Sequence, residues 1–322
     1  MRVLILGGGG MVGQKLAQRL AQSPEISGKA IKELYLHDIL EPKSVKGAFE
    51  THCLTGDLSK EGEAERLAAM KADVVFHLAA IVSGEAEKNF EKGWRTNARG
   101  TWAILEALVN IGGGYKPRLV FSSSIAVFGA PFPEVIPDDF FSTPMTSYGA
   151  QKAMSELLIT DYSRKGMIDG ISIRLPTICV RPGKPNLAAS SFFSGIIREP
   201  LNGQKAILPV PDTVRHWFAT PRSAAGFLVH AASLDLDLLN ERRALSMPGV
   251  SCTVAEQIEV LREVAGEDTV KLIQRKPDED IMAIVKNWPR NFDTARADAL
   301  GFKAESDFHE IVKIYIEEEL DN

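Results

Sequence analysis

Residues 1–20 read MRVLILGGGGMVGQKLAQRL: an apolar run, four consecutive glycines, then helical spacing. Each glycine loses more conformational freedom on folding than other residues, so four together mark a place where side chains would obstruct. Gly7, Gly10 and Gly13 spell GxxGxxG between a strand-like run at 3–6 and a helical pattern at 13–22. There Gly7 permits a sharp exit from the strand, Gly10 lets a phosphate reach the backbone, and Gly13 lets helix and strand pack closely. The helix N-terminus adds free N–H groups and partial positive charge, which suit a pyrophosphate.

Further apolar runs follow at 34–36, 74–78, 119–121 and 171–173, each short, continuous and bounded by turn residues. Continuous rather than alternating apolar character marks strands buried on both faces, as in a parallel sheet. Helical patterns at 60–70, 88–110 and 145–164 lie between them. This alternation predicts a doubly wound α/β domain over residues 1–175. After Pro176, prolines and glycines cluster at 181–185 and again at Pro209 and Pro211. That change predicts a smaller, mixed α+β domain over 176–322, which would bind substrate. The stretch 215–235, which contains the apolar SAAGFLVHAAS, is expected to pack back on the first domain. FDTARADALGF (292–302) reads as a short helix with Asp293 as N-cap and Gly301 as its stop.

Bulk properties narrow the function. The chain has 322 residues, 45% hydrophobic and 25% charged, with a net charge of -5. No basic stripe is present, which argues against nucleic acid as a partner. No apolar run reaches the roughly 18 residues of a membrane span, and the N-terminus lacks a signal-peptide layout. Cys53, Cys179 and Cys252 are widely spaced and form no CxxC pair, which fits a reducing cytoplasm. The six histidines show no metal-ligand spacing, so no metal is expected.

The second strand ends Leu36-His37-Asp38. A carboxylate there accepts hydrogen bonds from an adenosine ribose and repels a 2′-phosphate, which favours NAD over NADP. Asp57, in Gly56-Asp57-Leu58, is placed to accept from the adenine amino group, with Leu58 as an apolar wall.

Of five tyrosines, Tyr148 alone has a lysine four residues on, Lys152, in SYGAQKAMSE. On a helix the two share a face. Lowering a phenol from about 10 to near 7 takes about 4 kcal/mol of differential stabilisation. A partly dry site holding Lys152 and a cationic nicotinamide could supply it, which makes Tyr148 a candidate general base. Upstream, LVFSSSIAVFG is a buried strand ending in Ser122, Ser123 and Ser124. A hydroxyl at the carboxyl end of a parallel strand faces the ligand crevice, so Ser124 is a candidate to hold the substrate oxygen.

Together these motifs resemble the extended short-chain dehydrogenase/reductase family, the NAD-dependent epimerase/dehydratase group, whose fold is a Rossmann sheet. The likeness includes Gly7-x-x-Gly10-x-x-Gly13, Asp38, Asp57-Leu58, His77-Leu78-Ala79-Ala80, Asn97-x-x-Gly100-Thr101, Ser122-Ser123-Ser124 and Tyr148-x-x-x-Lys152. It implies that Tyr148 is the acid/base, that Lys152 also holds the nicotinamide ribose, and that Ser124 orients substrate. It further implies that Met11, Val12, Leu78, Ala79, Ala80 and Pro176 contact NAD, with Asn97 steadying the surrounding strands. A homodimer is the family's common assembly; Trp102, Leu105 and Leu108 would fit either that interface or an intrachain core.

Two segments depart from the members that act on sugar nucleotides. Their asparagine after the sixth strand is replaced in Arg174-Leu175-Pro176-Thr177, and their diphosphate-clamping run reads Arg215-His216-Trp217-Phe218. A lone arginine suits a small carboxylate. The segments RLPTICVRPGKPNLAASSFFSGIIREPLNG and HLAAIVSGEAEKNFEKGWRTNARGT resemble a branch of the family, and that resemblance implies oxidation of a small sugar acid with NAD to the 2-keto acid, with Arg215 expected on the carboxylate and Ser83 and Thr177 near substrate hydroxyls. The alternatives are a sugar-nucleotide epimerase or dehydratase with retained NAD, and a non-catalytic dinucleotide sensor.

Overall fold

A computed structural model describes residues 1–183 and 189–320. Its centre is a seven-stranded sheet: β1 (Arg2–Leu6), β2 (Glu33–Asp38), β3 (Glu50–Thr55), β4 (Val74–His77), β5 (Arg118–Ser124), β6 (Asp169–Leu175) and β7 (Ala244–Ser246). The spatial order is β3-β2-β1-β4-β5-β6-β7, and every pairing is parallel. The order reverses between β1 and β4. At such a switch point the strand ends open a crevice for ligands.

Continuous apolar runs are needed because both faces are covered. Successive side chains of a strand point to opposite faces. Val3 and Ile5 of β1 join Leu34, Leu36, Val74 and Phe76 in one layer. Leu4 and Leu6 join Val75, Leu119 and Phe121 in the other. The first layer is capped by α1 (Met11–Gln22), through Leu16, Ala17 and Leu20. On the second lie α2 (Glu63–Ala68), which buries Leu67, and α4 (Gly100–Asn110), which buries Ile104, Leu105 and Leu108. The 18-residue α5 (Ser147–Arg164) adds Ile159 to that layer. Leu105 and Leu108 thus belong to the intrachain core, whereas Trp102 is 51% exposed.

The single helix expected over 88–110 is broken. The chain forms α3 (Ser83–Lys88), a short turn at Phe90–Gly93 and a π-helical turn at Trp94–Arg99 before α4. Within that π turn Asn97 is 2% exposed. Its Oδ1 accepts from the Ile81 N–H at 2.7 Å, while Nδ2 donates to the Ile81 carbonyl at 3.0 Å and to Gln151 Oε1 at 2.7 Å. It ties the loop after β4 to α5.

The later part of the chain has its own core of Phe193, Ile196, Phe218, Leu261, Ile311 and Val312. It draws on α6 (Ser191–Leu201), α8 (Val254–Ala265) and a three-stranded sheet of Val250–Thr253, Arg215–Ala219 and Thr177–Ile178. The two parts interlace. Strand β7 completes the central sheet, and α7 (Pro221–Ser233) places Ala225, Phe227, Leu228 and Ala231 in the α1 layer. The N-cap of the helix Ala295–Ala299 is Thr294 rather than Asp293, whose Oδ1 accepts from the Ala295 N–H at 2.9 Å one residue earlier; Gly301 follows the helix with φ +89. No described helix is long and apolar enough to cross a membrane.

Candidate active site

A cavity of about 820 Å³ opens at the carboxyl ends of the strands and runs from the glycine loop to the later part of the chain. Gly7, Gly10, Met11, Val12 and Gly13 form one end. Gly7 adopts φ +87, and a Cβ there would meet the Ala79 backbone nitrogen at 2.7 Å. The loop therefore rests directly on the segment after β4, and Ala79 supports Gly7 while Leu78 and Ala80 line the cavity. Helix α1 has no side-chain cap at Gly10 and no acidic residue in its first turn. Its N–H groups and positive end are left for an anion.

Asp38 lies beside this loop. Its Oδ2 accepts from the Gly9 N–H at 2.9 Å and its Oδ1 from the Ile39 N–H at 2.7 Å. A carboxylate has about four acceptor sites, so capacity for ribose hydroxyls remains. The uncapped helix, the open face at Gly10 and this carboxylate fit the pyrophosphate and adenosine ribose of NAD. Asp57 is turned toward its own loop, where Oδ1 accepts from the Ser59 N–H and hydroxyl at 2.9 and 2.7 Å. Leu58 is 4% exposed and packs in the core. Neither these two nor Asn97 lines the cavity; Asn97 acts through Ile81 and Gln151 as described.

Midway along the cavity Ser122, Ser123 and Ser124 at the end of β5 meet Tyr148 and Lys152 of α5. Thr146 caps α5 through the Gly149 N–H at 3.1 Å, which sets the first turn and with it Tyr148. Lys152, one turn on, is 3% exposed. Its Nζ donates to the Ser122 carbonyl at 2.7 Å and lies 4.5 Å from the centre of the Phe121 ring and 5.6 Å from that of Tyr148. Burial pulls the ammonium down to about 7, against the opposing pull of Glu156. Ser124 Oγ accepts from the Ala126 N–H at 3.1 Å and acts on the Tyr148 phenol. Burial pushes that phenol above its ordinary value; Arg181 and Ser124 pull it back. Arg181 thus acts on Tyr148 together with the nearby Lys152, to which the spacing pointed.

A buried ion pair stands behind the serines. Glu156 receives the Arg174 guanidinium through Nε at 3.0 and 3.1 Å and through Nη2 at 2.8 Å, and also the Ser123 hydroxyl. Arg174 in turn lies 4.8 Å from the centre of the Phe128 ring.

The far end of the cavity is lined by Ser83 and Glu87 of α3, by Pro176 and Thr177, by Arg181, Ser190 and Arg198, and by His216. Ala283 and Ile284 of α9 (Glu279–Val285) close it, together with Asn287, Trp288 and Pro289. His216 is 3% exposed, and burial lowers its imidazole to about 3, so it is neutral. Its Nδ1 donates to the Pro289 carbonyl at 2.9 Å, so its Nε2 is an acceptor and takes the Thr177 hydroxyl at 2.7 Å.

Arg215 lies outside this cavity. Its Nη2 pairs with Glu256 at 3.2 Å, and its Nη1 donates to the Ser251 carbonyl at 3.1 Å. The arginine that faces Tyr148 is Arg181, six residues beyond Leu175 in ICVRPGKP. Arg181, His216 and Trp288 escaped the sequence reading. For Arg181 the available signal was a cation directly before a Pro-Gly turn at the carboxyl end of β6. Residues 184–188 of that turn lie outside the described residues.

A dinucleotide loop, a Ser-Tyr-Lys cluster and a roofed substrate end in one Rossmann crevice define an enzyme that works with a bound nicotinamide. The sequence profile of the NAD dependent epimerase/dehydratase family matches residues 3–219, and the chain belongs to that family. It is an NAD-dependent dehydrogenase by class, and NAD is its cofactor. It is 43% identical over 322 residues to a D-erythronate dehydrogenase of Cupriavidus necator, spanning 99% of this chain and 98% of that one. A D-erythronate dehydrogenase of Haemophilus influenzae is 42% identical, over 98% of this chain and 99% of that one. A crystal structure described as a nucleoside-diphosphate-sugar epimerase from Agrobacterium tumefaciens superposes with a TM-score of 0.96 at 56% identity, covering 100% of this chain and 95% of that one.

Proposed function

We propose that this protein oxidises the 2-hydroxyl of a small sugar acid of the D-erythronate kind to the 2-keto acid, using NAD. The observation that carries the reading is that Ser124, Tyr148 and Lys152 share one cavity with the glycine loop. The two dehydrogenase relatives, matched almost end to end, support the sugar-acid part.

Bound NAD supplies the hydride acceptor. The Ser124 hydroxyl orients the substrate oxygen, and the Tyr148 phenolate takes the proton of the 2-hydroxyl. As that O–H bond breaks, the oxygen electrons form the C=O bond and the C2 hydrogen leaves with its electron pair. The products are the 2-keto acid, NADH and a proton released through Tyr148. Lys152, fixed on the Ser122 carbonyl, holds the nicotinamide ribose. The Gly7–Gly13 loop and Asp38 hold the pyrophosphate and adenosine ribose, with Leu78, Ala79, Ala80 and Pro176 along the groove. In this reading residues 1–175 bind NAD and residues 176–322 bind substrate. The assembly is a homodimer, formed through the outward faces of α4 and α5, and its setting is the cytoplasm.

A second reading is favoured by the description of the Agrobacterium structure: epimerisation of a nucleoside-diphosphate sugar, with NAD reduced and reoxidised in each cycle. The test is NADH absorbance after mixing the protein with NAD and either D-erythronate, L-threonate or UDP-sugars. Net NADH with a sugar acid supports the dehydrogenase reading. Interconversion of a UDP-sugar without net NADH, and silence with the acids, overturns it.

A further inference from the structure

We infer that Arg181 anchors the carboxylate of the substrate and so makes this a site for small acids; the inference rests on the dehydrogenase reading above. Among the described residues three cations line the cavity: Lys152, Arg198 and Arg181. Lys152 is committed to the Ser122 carbonyl, with Glu156 one turn below it. Arg198 is neutralised by Glu199 at 2.6 Å. Arg181 has no carboxylate partner among the described residues, and residues 184–188, KPNLA, contain no acid. The charges it feels are those of Tyr148, Cys179 and Arg198.

An unpaired guanidinium in a largely buried wall is costly, and an anionic ligand removes that cost. Burial already lowers the Arg181 pKa, which is the sign of this unpaid desolvation. The side chain is held ready. Its Nε donates to the Ile178 carbonyl at 2.9 Å and its Nη2 to Ser190 Oγ at 3.2 Å. Its backbone is pinned at both ends, the N–H on Ser194 Oγ at 3.0 Å and the carbonyl by Arg198 Nη1 at 2.7 Å. A guanidinium has five N–H donors, so these bonds leave N–H groups on both terminal nitrogens for a two-pronged contact with a carboxylate.

The position also matches the reaction. Arg181 acts electrostatically on both the Tyr148 phenol and the His216 imidazole. A carboxylate on Arg181 therefore brings the adjacent C2 hydroxyl toward Tyr148. Neutral His216, holding the Thr177 hydroxyl, offers neither a competing charge nor a second anion site. A nucleoside diphosphate would instead need cations for two phosphates, and both other described cations of the cavity are already engaged.

The test compares wild type with Arg181→Gln and Arg181→Lys. D-Erythronate serves as substrate, erythritol as its neutral counterpart, and thermal melts check folding. Arg181→Gln should raise KM for D-erythronate by about 100-fold, the range expected when one partner of a buried charge pair is lost. The smaller effect on kcat marks lost binding rather than lost chemistry. Arg181→Lys should recover about a tenth of the affinity, since a point charge cannot make the forked contact. The weak rate with erythritol should fall only as far as kcat for D-erythronate does, through the Tyr148 phenol that Arg181 pulls down, so the loss in kcat/KM should be far larger for the acid than for the polyol; NADH affinity by fluorescence should be that of wild type. Binding of D-erythronate to the protein–NADH complex by calorimetry is the second readout. If wild type binds D-erythronate there but forms no NADH from it when NAD is supplied instead, and Arg181→Gln does not bind, the anion site stands while the reaction reading falls. Equal losses for acid and polyol, an unchanged KM in Arg181→Gln, or no binding of D-erythronate to wild type overturns the assignment.

Discussion

The carbonyl oxygen of Gly7 occupies the space that a Cβ on Gly13 would need, whereas a Cβ on Gly10 would meet that same oxygen at an ordinary 3.4 Å. The two glycines therefore do different work. Gly13→Ala should force strand and helix apart and cost about 1–3 kcal/mol of stability by denaturant unfolding. Gly10→Ala should fold normally, because Gly10 has φ -72 and ψ 163, and should lose NADH affinity in a fluorescence titration. Full cofactor affinity in Gly10→Ala would contradict a pyrophosphate at that loop.

Tyr148→Phe keeps the ring and removes only the phenol. Turnover should fall by about 10²–10⁴, the usual yield of a positioned base, with NADH affinity unchanged. Burial holds the wild-type phenol above its ordinary value, and a protonated phenol cannot accept a proton. Substrate oxidation should accelerate as pH is raised through neutrality, and the reverse reduction should slow. A flat pH profile would remove Tyr148 from the role.

Lys152 titrates at about 7 in the fold, against about 10.4 in an unfolded chain. Between those values the unfolded chain holds the extra proton, so stability from this group rises with pH. The contribution is greatest above the unfolded value and is lost as pH falls through the folded one. His77 and His216, each lowered to about 3 by burial, act in the same sense, over a window from about 3 up to about 6.5. Urea unfolding across alkaline pH should show a rising stability that Lys152→Met flattens, while the acid limb stays as in wild type.

The Arg174–Glu156 pair has side chains only 8% and 5% exposed. Glu156→Gln leaves a buried guanidinium uncompensated and should cost about 3–5 kcal/mol. The double variant Glu156→Gln/Arg174→Met should regain part of that loss. A double-mutant cycle by denaturant unfolding measures the coupling; additivity would show that the pair contributes little.

Trp102 on α4 and Met154 and Leu157 on α5 are 51%, 40% and 72% exposed. If these faces join two copies, Leu157→Glu should shift sedimentation from dimer to monomer. A monomeric wild type would refute the proposed assembly.

Strand positions were legible because a buried parallel strand carries its signal locally: 3–6, 34–36, 119–121 and 171–173 fall inside β1, β2, β5 and β6. The Ser124, Tyr148 and Lys152 cluster was legible for a related reason, since a helix turn and a strand end set it. The region 88–110 was misread as one helix because its break depends on Asn97 reaching Ile81 and Gln151, 16 and 54 residues away in sequence. No periodicity within the segment encodes partners at that distance.

The sequence by itself determined five of the seven strands, the glycine loop and the grouping of Ser124, Tyr148 and Lys152, each written in short-range spacing, whereas β7 joined the sheet from residues read as a separate domain. Only the tertiary structure decided which arginine lines the cavity. Arg215 and His216 are neighbours on one strand, and neighbours on a strand face opposite ways. One step of register sends His216 into the cavity with Thr177 and leaves Arg215 outside on Glu256. Arg181 takes its place beside Tyr148 because β6 and α5 converge there, a meeting set by the packing of the whole crevice.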